Sequence, residues 1–288
     1  MRLCVSSYSF SAAIRAGQMT QFDTVAAARD LGFSAIEFTD LSPDPTRPAT
    51  QREQVEFAAR LREEAERLDM RIAAYAIGAN LAVTGEAAEA EIERLLGQVD
   101  VCWTLGAPVL RHDVCYSLGE ARSFDALVPT LAENIRRVTA YAASLGVRTC
   151  TENHGFVAQD SDRIERLVNA VGHPNYGALI DVGNFACVDE DSAAAVSRLA
   201  PLAFHVHAKD FVFYPFAARH AGGIETRGCN RIEACAVGDG NVPVEQCLAI
   251  LRRAGYDGYV SIEFEGRGDC IDGIRRGKEA LLRYGVEQ

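Results

Sequence analysis

The sequence is poor in features that would take a protein into a membrane, onto a polyanion or into an oxidising compartment. No stretch reaches the ~18 consecutive uncharged apolar residues that a bilayer-spanning helix needs. The opening Met1-Arg2-Leu3-Cys4-Val5 lacks the apolar length and small-residue cleavage site of a secretory signal, so a cytoplasmic protein with no membrane partner is expected. Basic residues are scarce beside acidic ones, 29 Lys and Arg against 40 Asp and Glu for a formal charge of −11. That balance argues against a nucleic-acid partner, because phosphate binding is driven by clustered Lys and Arg. The 9 cysteines form an odd set with no Cys-x-x-Cys pair, so neither a disulfide framework nor a structural zinc knuckle is expected. No Pro/Ser-rich linker, low-complexity tract or charge block divides the chain, and a single domain over residues 1–288 is the expectation.

What the sequence does have is a rhythm. Short β-rich runs at 3–7, 35–38, 71–76, 109–112, 148–151, 177–180, 203–207 and 259–263 alternate with helical stretches near 20–31, 48–69, 86–104, 124–145, 161–171, 190–199, 243–254 and 271–284. Strand–helix repeats of this kind predict an α/β protein with a parallel sheet, and the chain is long enough for a (β/α)8 TIM barrel, which needs about 250 residues. Local punctuation agrees. Thr20-Gln21-Phe22-Asp23 reads as a capping box, Pro243 suits a first helical turn, and Gly32, Gly106, Gly146 and Gly255 each stop a helical run before a strand. The longest irregular piece, 211–241, follows the seventh strand and carries several glycines. It is expected to be a mobile loop at the C-terminal mouth of the barrel, where active sites are built.

Polar residues collect at the ends of the last four strands: Glu152 in Thr-Glu-Asn-His-Gly, Asp181 in Ile-Asp-Val-Gly-Asn, His207 in His-Val-His-Ala-Lys-Asp and Glu263 in Ile-Glu-Phe-Glu-Gly. Strands five to eight of a closed barrel lie side by side, so four inward side chains there could converge on one point. Three buried carboxylates repel one another and are costly to desolvate, which implies protonation or a cation. Three carboxylate oxygens and one imidazole suit Mn²⁺, the preferred expectation, or Mg²⁺ or Co²⁺, with Zn²⁺ as a further alternative. Such a cation would polarise a hydroxy-carbonyl substrate and acidify its C–H, and Glu152 and Glu263, one on each side, could move the proton.

On these four residues, together with Val237-Gly238-Asp239-Gly240 and the run from Gly255 to Glu263, the chain resembles the sugar isomerase/epimerase group with the xylose isomerase-like TIM barrel. That group also contains ketose 3-epimerases, hydroxypyruvate isomerase, inosose dehydratase and dehydroshikimate dehydratase. The resemblance covers nearly the whole chain. It implies one divalent metal held by Glu152, Asp181, His207 and Glu263, with the two glutamates as the acid/base pair of a sugar isomerase or epimerase. Where ketose 3-epimerases usually carry a histidine three residues after the aspartate, this chain has Asn184, which leaves substrate identity open. Lys209 and Asp210 look more like the His-x-Lys-Asp pattern of the dehydratase and general isomerase branches.

Around this set, Asn184, Lys209, His154, Glu37 and His112 are candidates for substrate binding, Glu37 and His112 because each ends a strand where it could point into the mouth. His205 shares a strand face with His207 and is expected to pack deeper or orient a neighbour. Tyr8 and Phe10 could face the apolar side of a sugar, whereas Trp103 reads as helix packing. A sugar or polyol-derived small molecule is the expected partner, and homodimers or homotetramers are expected by analogy with barrels of this class. The competing activities are a lyase on the same scaffold, which would lose water from a keto-polyol, and more remotely an apurinic-site endonuclease. The acidic balance and the count of 6 histidines speak against the nuclease.

Overall fold

Strands that are buried on both faces read as continuous runs of apolar and small residues, and the runs here are packed inside a ring of helices. The computed structural model describes residues 1–288. In chain order its elements are β1 (Arg2–Ser6), α1 (Ser11–Arg15), α2 (Thr24–Asp30), β2 (Ala35–Thr39), α3 (Gln51–Arg67), β3 (Arg71–Ile77), α4 (Gly85–Leu105), β4 (Val109–His112), α5 (Phe124–Ser144) and β5 (Arg148–Glu152). They continue with α6 (Ser161–Val171), β6 (Tyr176–Asp181), α7 (Ser192–Leu199), β7 (Ala203–Ala208), β8 (Asp210–Tyr214), β9 (Ile224–Glu225), β10 (Arg231–Cys235), α8 (Val244–Arg253), β11 (Tyr259–Ile262) and α9 (Cys270–Arg283).

Eight of these strands close into a parallel barrel in the order β1-β11-β7-β6-β5-β4-β3-β2, which is the (β/α)8 architecture expected. All eight lie within one residue of the runs read from the sequence. The helix expected from residue 20 begins at Thr24 instead. Thr20 and Asp23 do exchange reciprocal bonds, Thr20 N to Asp23 Oδ2 at 2.7 Å and Asp23 N to Thr20 Oγ1 at 3.3 Å, but they shape a turn before the helix. No helix is long and apolar enough to cross a membrane.

Register decides which side chains meet. Asp181 pairs with His207 across β6 and β7, and Ser261 pairs with His207 across β7 and β11. Side chains two residues apart share a face, so Glu263 projects from the same face as Ser261, one layer nearer the C-terminal mouth. Glu152 pairs with Leu179, two residues before Asp181, and is thereby brought to the same wall.

The segment 211–241 is not the irregular loop that its glycines suggested. With Asp210 it forms a second sheet, in which β10 pairs antiparallel with both β8 and β9. Strand pairing gives a long excursion partners for its backbone, and Phe211 and Ile232 anchor it by burying against the barrel. Asp210 fastens both ends of the excursion, accepting from the amides of Phe211 (2.8 Å), Gly238 (2.9 Å), Gly240 (3.0 Å) and Val242 (3.0 Å). A Cβ at Gly240 would stand 2.2 Å from Asp210 Oδ1, so this close approach requires glycine. At the tip, Arg227 donates to the carbonyl of Phe156 and to Asp160 Oδ2, tying the excursion to the β5–α6 loop.

Asp210→Ala leaves these amides without their acceptor, and a cost of about 3 kcal/mol is expected from the loss of a buried charged acceptor. The denaturant midpoint should fall, and hydrogen exchange at Gly238, Gly240 and Val242 should accelerate. An unchanged midpoint with protected amides would refute the fastening role.

Candidate metal centre and active site

The site is assembled at the ends of β5, β6, β7 and β11. Asp181 is fully buried and its Oδ1 accepts from the amides of Gly183 (2.8 Å) and Asn184 (3.1 Å). Those bonds fix the carboxylate and leave Oδ2 turned to the barrel axis. Gly183 permits the turn, because a Cβ there would meet the Lys209 carbonyl at 2.7 Å. Glu152 is held on both oxygens, Oε2 by Arg111 Nη2 at 2.7 Å and Oε1 by Asn184 Nδ2 at 2.9 Å. Glu263 Oε2 lies 2.6 Å from Lys209 Nζ. Between the two glutamates stands His207, its Nδ1 at 3.8 Å from Glu152 Oε1 and 3.6 Å from Glu263 Oε2.

The four residues read from the sequence as a ligand set therefore meet, with one donor atom from each lying within 4.8 Å of the others. Of those donors, His207 Nδ1 is buried without any hydrogen-bond partner, and Asp181 Oδ2 has none beyond the Lys209 ammonium at 3.3 Å. Leaving such atoms unpaired is costly, and three hard oxygens with one imidazole are a donor set that a divalent cation satisfies. The residues thus fit the metal that the motifs imply.

Burial penalises every charge here, and neighbours decide the outcome. For Asp181 burial dominates, with Glu152 and Glu263 adding to it against Lys209, and its carboxyl is pushed up to about 7. Burial also works against ionised Glu152 and Glu263, but Arg111 and His207 hold the first below the ordinary range and Lys209 and His207 hold the second well below it. Burial opposes the His207 imidazolium, yet Glu37, Glu263 and Glu152 outweigh it and raise the ring well above its ordinary value. Lys209 is likewise raised, burial being overcome by Asp181 and Glu263.

Above the cluster opens a cavity of about 190 Å³, lined among others by Tyr8, Asp40, Arg111, Tyr116, His154 and Glu265. Of the expected substrate-binding residues, His154 does reach this mouth, where its Nδ1 lies 2.9 Å from Asp113 Oδ1. Lys209 is within the cluster, near Glu263, Asp181 (3.3 Å) and Glu265 (3.4 Å). Asn184 is buried and spent on Glu152 and, at 3.3 Å, on Lys209. It steadies the acids and does not stand open to a substrate hydroxyl. Glu37 does not point into the mouth either, because it is fully buried beneath the cluster against His205 and His207. His112 faces the other way, since side chains alternate along β4. It stacks on Tyr176 at 6.0 Å and places Nδ1 at 2.8 Å from the Asp113 carbonyl, with Arg111 taking the inward position.

Arg111 and Asp113 escaped the sequence reading. Arg111 Nη2 bridges Glu152 and Asp113, both at 2.7 Å, and Asp113 also accepts from Tyr116. The available signal was an arginine set at period two from Val109 inside a buried strand, where a cation needs an acid partner.

The family model described as xylose isomerase-like TIM barrel matches residues 25–285. The chain belongs to the xylose isomerase-like TIM barrel family. It is 25% identical over 138 residues to the inosose dehydratase of Clostridium perfringens, a match covering 47% of this chain and 46% of that protein. The chain thus spans about half the length of the curated relative it matches. Among solved structures it is similar to an L-ribulose 3-epimerase (TM-score 0.75, 16% identity, 98% of this chain and 94% of that one). It is also similar to the IOLI protein with a bound zinc atom (TM-score 0.74, 15% identity, 99% of this chain and 98% of that one). At such identities the structural likeness shows the fold alone.

A metal entering this xylose isomerase-like site competes with protons. Asp181 ligates only when ionised, so affinity should rise as pH climbs through about 7 and fall below it, and His207 should give up a proton on binding. Calorimetry of Mn²⁺ or Zn²⁺ binding in buffers of differing ionisation enthalpy reads the protons released. Affinity independent of pH between 6 and 8 would contradict this electrostatic picture.

Proposed function

We propose that the protein is a divalent-metal-dependent isomerase or epimerase of a ketose or related hydroxy-carbonyl compound, working by proton transfer between carbon and two glutamates. The observation that carries this reading is the pairing of Glu152 with Arg111 and of Glu263 with Lys209 on either side of the His207 Nδ1. Membership of a family with isomerases, epimerases and dehydratases among its relatives supports it.

Glu152, Asp181, His207 and Glu263 would hold the cation, whose chemistry is to polarise the substrate carbonyl and acidify the adjacent C–H. The cations that keep both glutamates ionised also weaken them as bases. Acidity of the substrate carbon is therefore the larger part of the driving force, and the glutamates contribute position. One takes the proton and the other returns one, to the opposite face for epimerisation or through the neighbouring oxygen and carbon for isomerisation. Arg111 and Asn184 keep Glu152 from swinging away, and His154 and Tyr116 at the mouth offer partners to substrate hydroxyls.

A second reading, loss of water from a keto-polyol, is favoured by Lys209. Its ammonium, 2.6 Å from Glu263, is a proton donor inside the cluster that could accompany a departing hydroxyl. The curated relative named an inosose dehydratase points the same way.

The test is to incubate metal-loaded protein with a panel of ketoses and inososes in D₂O and follow the substrates by NMR. Exchange of a C–H adjacent to the carbonyl without net loss of water supports the isomerase or epimerase, and exchange accompanied by dehydration supports the lyase. Glu152→Gln should lower exchange by roughly 10²- to 10⁴-fold, the usual contribution of a positioned acid or base, while retaining some metal through the other three residues. His207→Ala should lose metal. Normal turnover in both variants would dismiss this site.

A further inference from the structure

Beneath the ligand cluster, on the side away from the mouth, lies a second group of buried titratable residues that the proposed chemistry does not use. Glu37 on β2 is fully buried, and each of its oxygens meets a histidine of β7. Oε2 is 2.6 Å from His205 Nε2 in a hydrogen bond. Oε1 is 2.7 Å from His207 Nε2, a close contact off the axis of a straight bond. The two imidazoles stand edge to face with centroids 5.6 Å apart. A histidine ring has two nitrogens on opposite edges. With Nε2 of His207 drawn to Glu37, it is Nδ1 that faces Glu152 and Glu263.

We propose that Glu37 is the positioning residue of the metal centre: with one oxygen pinned by His205, it holds His207 so that Nδ1, and not Nε2, is presented to Glu152, Asp181 and Glu263. A lone carboxylate on a strand could rotate about its last torsion and release the ring. His205, one layer deeper on the same strand face as His207, removes that freedom. A carboxylate behind a ligating imidazole also makes the ring a stronger donor, so the arrangement sets both the direction and the strength of the ligand. This inference rests on the metal-binding part of the proposed function and not on the identity of the substrate.

Two measurements test it. In zinc-loaded wild-type protein, long-range ¹H–¹⁵N correlation of the histidine rings should show Nδ1 of His207 bound to metal and Nε2 carrying hydrogen. Coordination through Nε2 overturns the inference without any variant being made. In Glu37→Gln, which keeps the shape and removes the charge, zinc affinity measured by chelator competition should fall roughly 10- to 100-fold, the usual effect of losing a group behind a ligand. The visible spectrum of the Co²⁺-loaded variant should shift as well. Circular dichroism and the thermal midpoint report whether the variant is folded, and a folded variant with unchanged affinity and spectrum also overturns the inference. Wild-type protein that binds no divalent metal would instead sink the proposed function, so the two failures are distinguishable.

Discussion

The constraint on which the rest of the structure depends is the confinement of acids inside a closed barrel, where little of their surface is exposed. Glu37, Glu152, Asp181 and Glu263 are all buried at the centre, and isolated carboxylates in such a place would be neutralised or expelled. The fold answers with hydrogen-bonding and charged partners at fixed addresses. Arg111 meets Glu152, Lys209 meets Glu263 and Asp181, and the imidazoles of β7 meet Glu37. Buried pairs of this type add little net stability, because desolvation consumes most of the attraction. What they contribute is position: every carboxylate has one or two partners that set its direction. Asp181 is the exception in degree, since repulsion and burial keep its carboxyl near neutrality, and it is the member best placed to respond to an incoming divalent charge.

Much of this was legible in the chain. The strand runs are short, mostly apolar or small, and set off by glycines and by longer helical stretches, and the barrel strands stand within one residue of where those runs lie. The convergence of Glu152, Asp181, His207 and Glu263 was legible for a related reason. Acids and histidine ending buried strands are improbable as core, and eightfold closure brings neighbouring strand ends together. What could not be read was the direction of single side chains within a strand. His112 and Arg111 are adjacent and both polar, and only the register of β4 against β5 settles that Arg111 faces inward. Glu37 failed for another reason. Its strand end was recognised, but its depth below His207 depends on the stagger between β2 and β7, which lie apart in sequence and are not paired in the sheet.

The excursion between β7 and α8 shows how glycine content misleads. Gly222, Gly223, Gly228 and Gly240 suggest mobility, yet a Cβ at any of the four would stand within 3 Å of a neighbouring atom. They mark tight turns and close approaches in a built sheet. Asp210, immediately after Lys209, joins that sheet to the barrel, so one strand end carries a side chain of the site and, on the next residue, the staple of a separate layer.

The contact of Arg227 with Phe156 and Asp160 has a consequence for the mouth of the barrel. It braces the loop that carries His154 from outside the barrel. The tip of the excursion therefore bears on the rim of the mouth, while the buried charges below are held by their own partners. The rim of the cavity and the buried charges at its floor are thus fixed by separate sets of contacts, one reaching in from outside the barrel and one wholly within it.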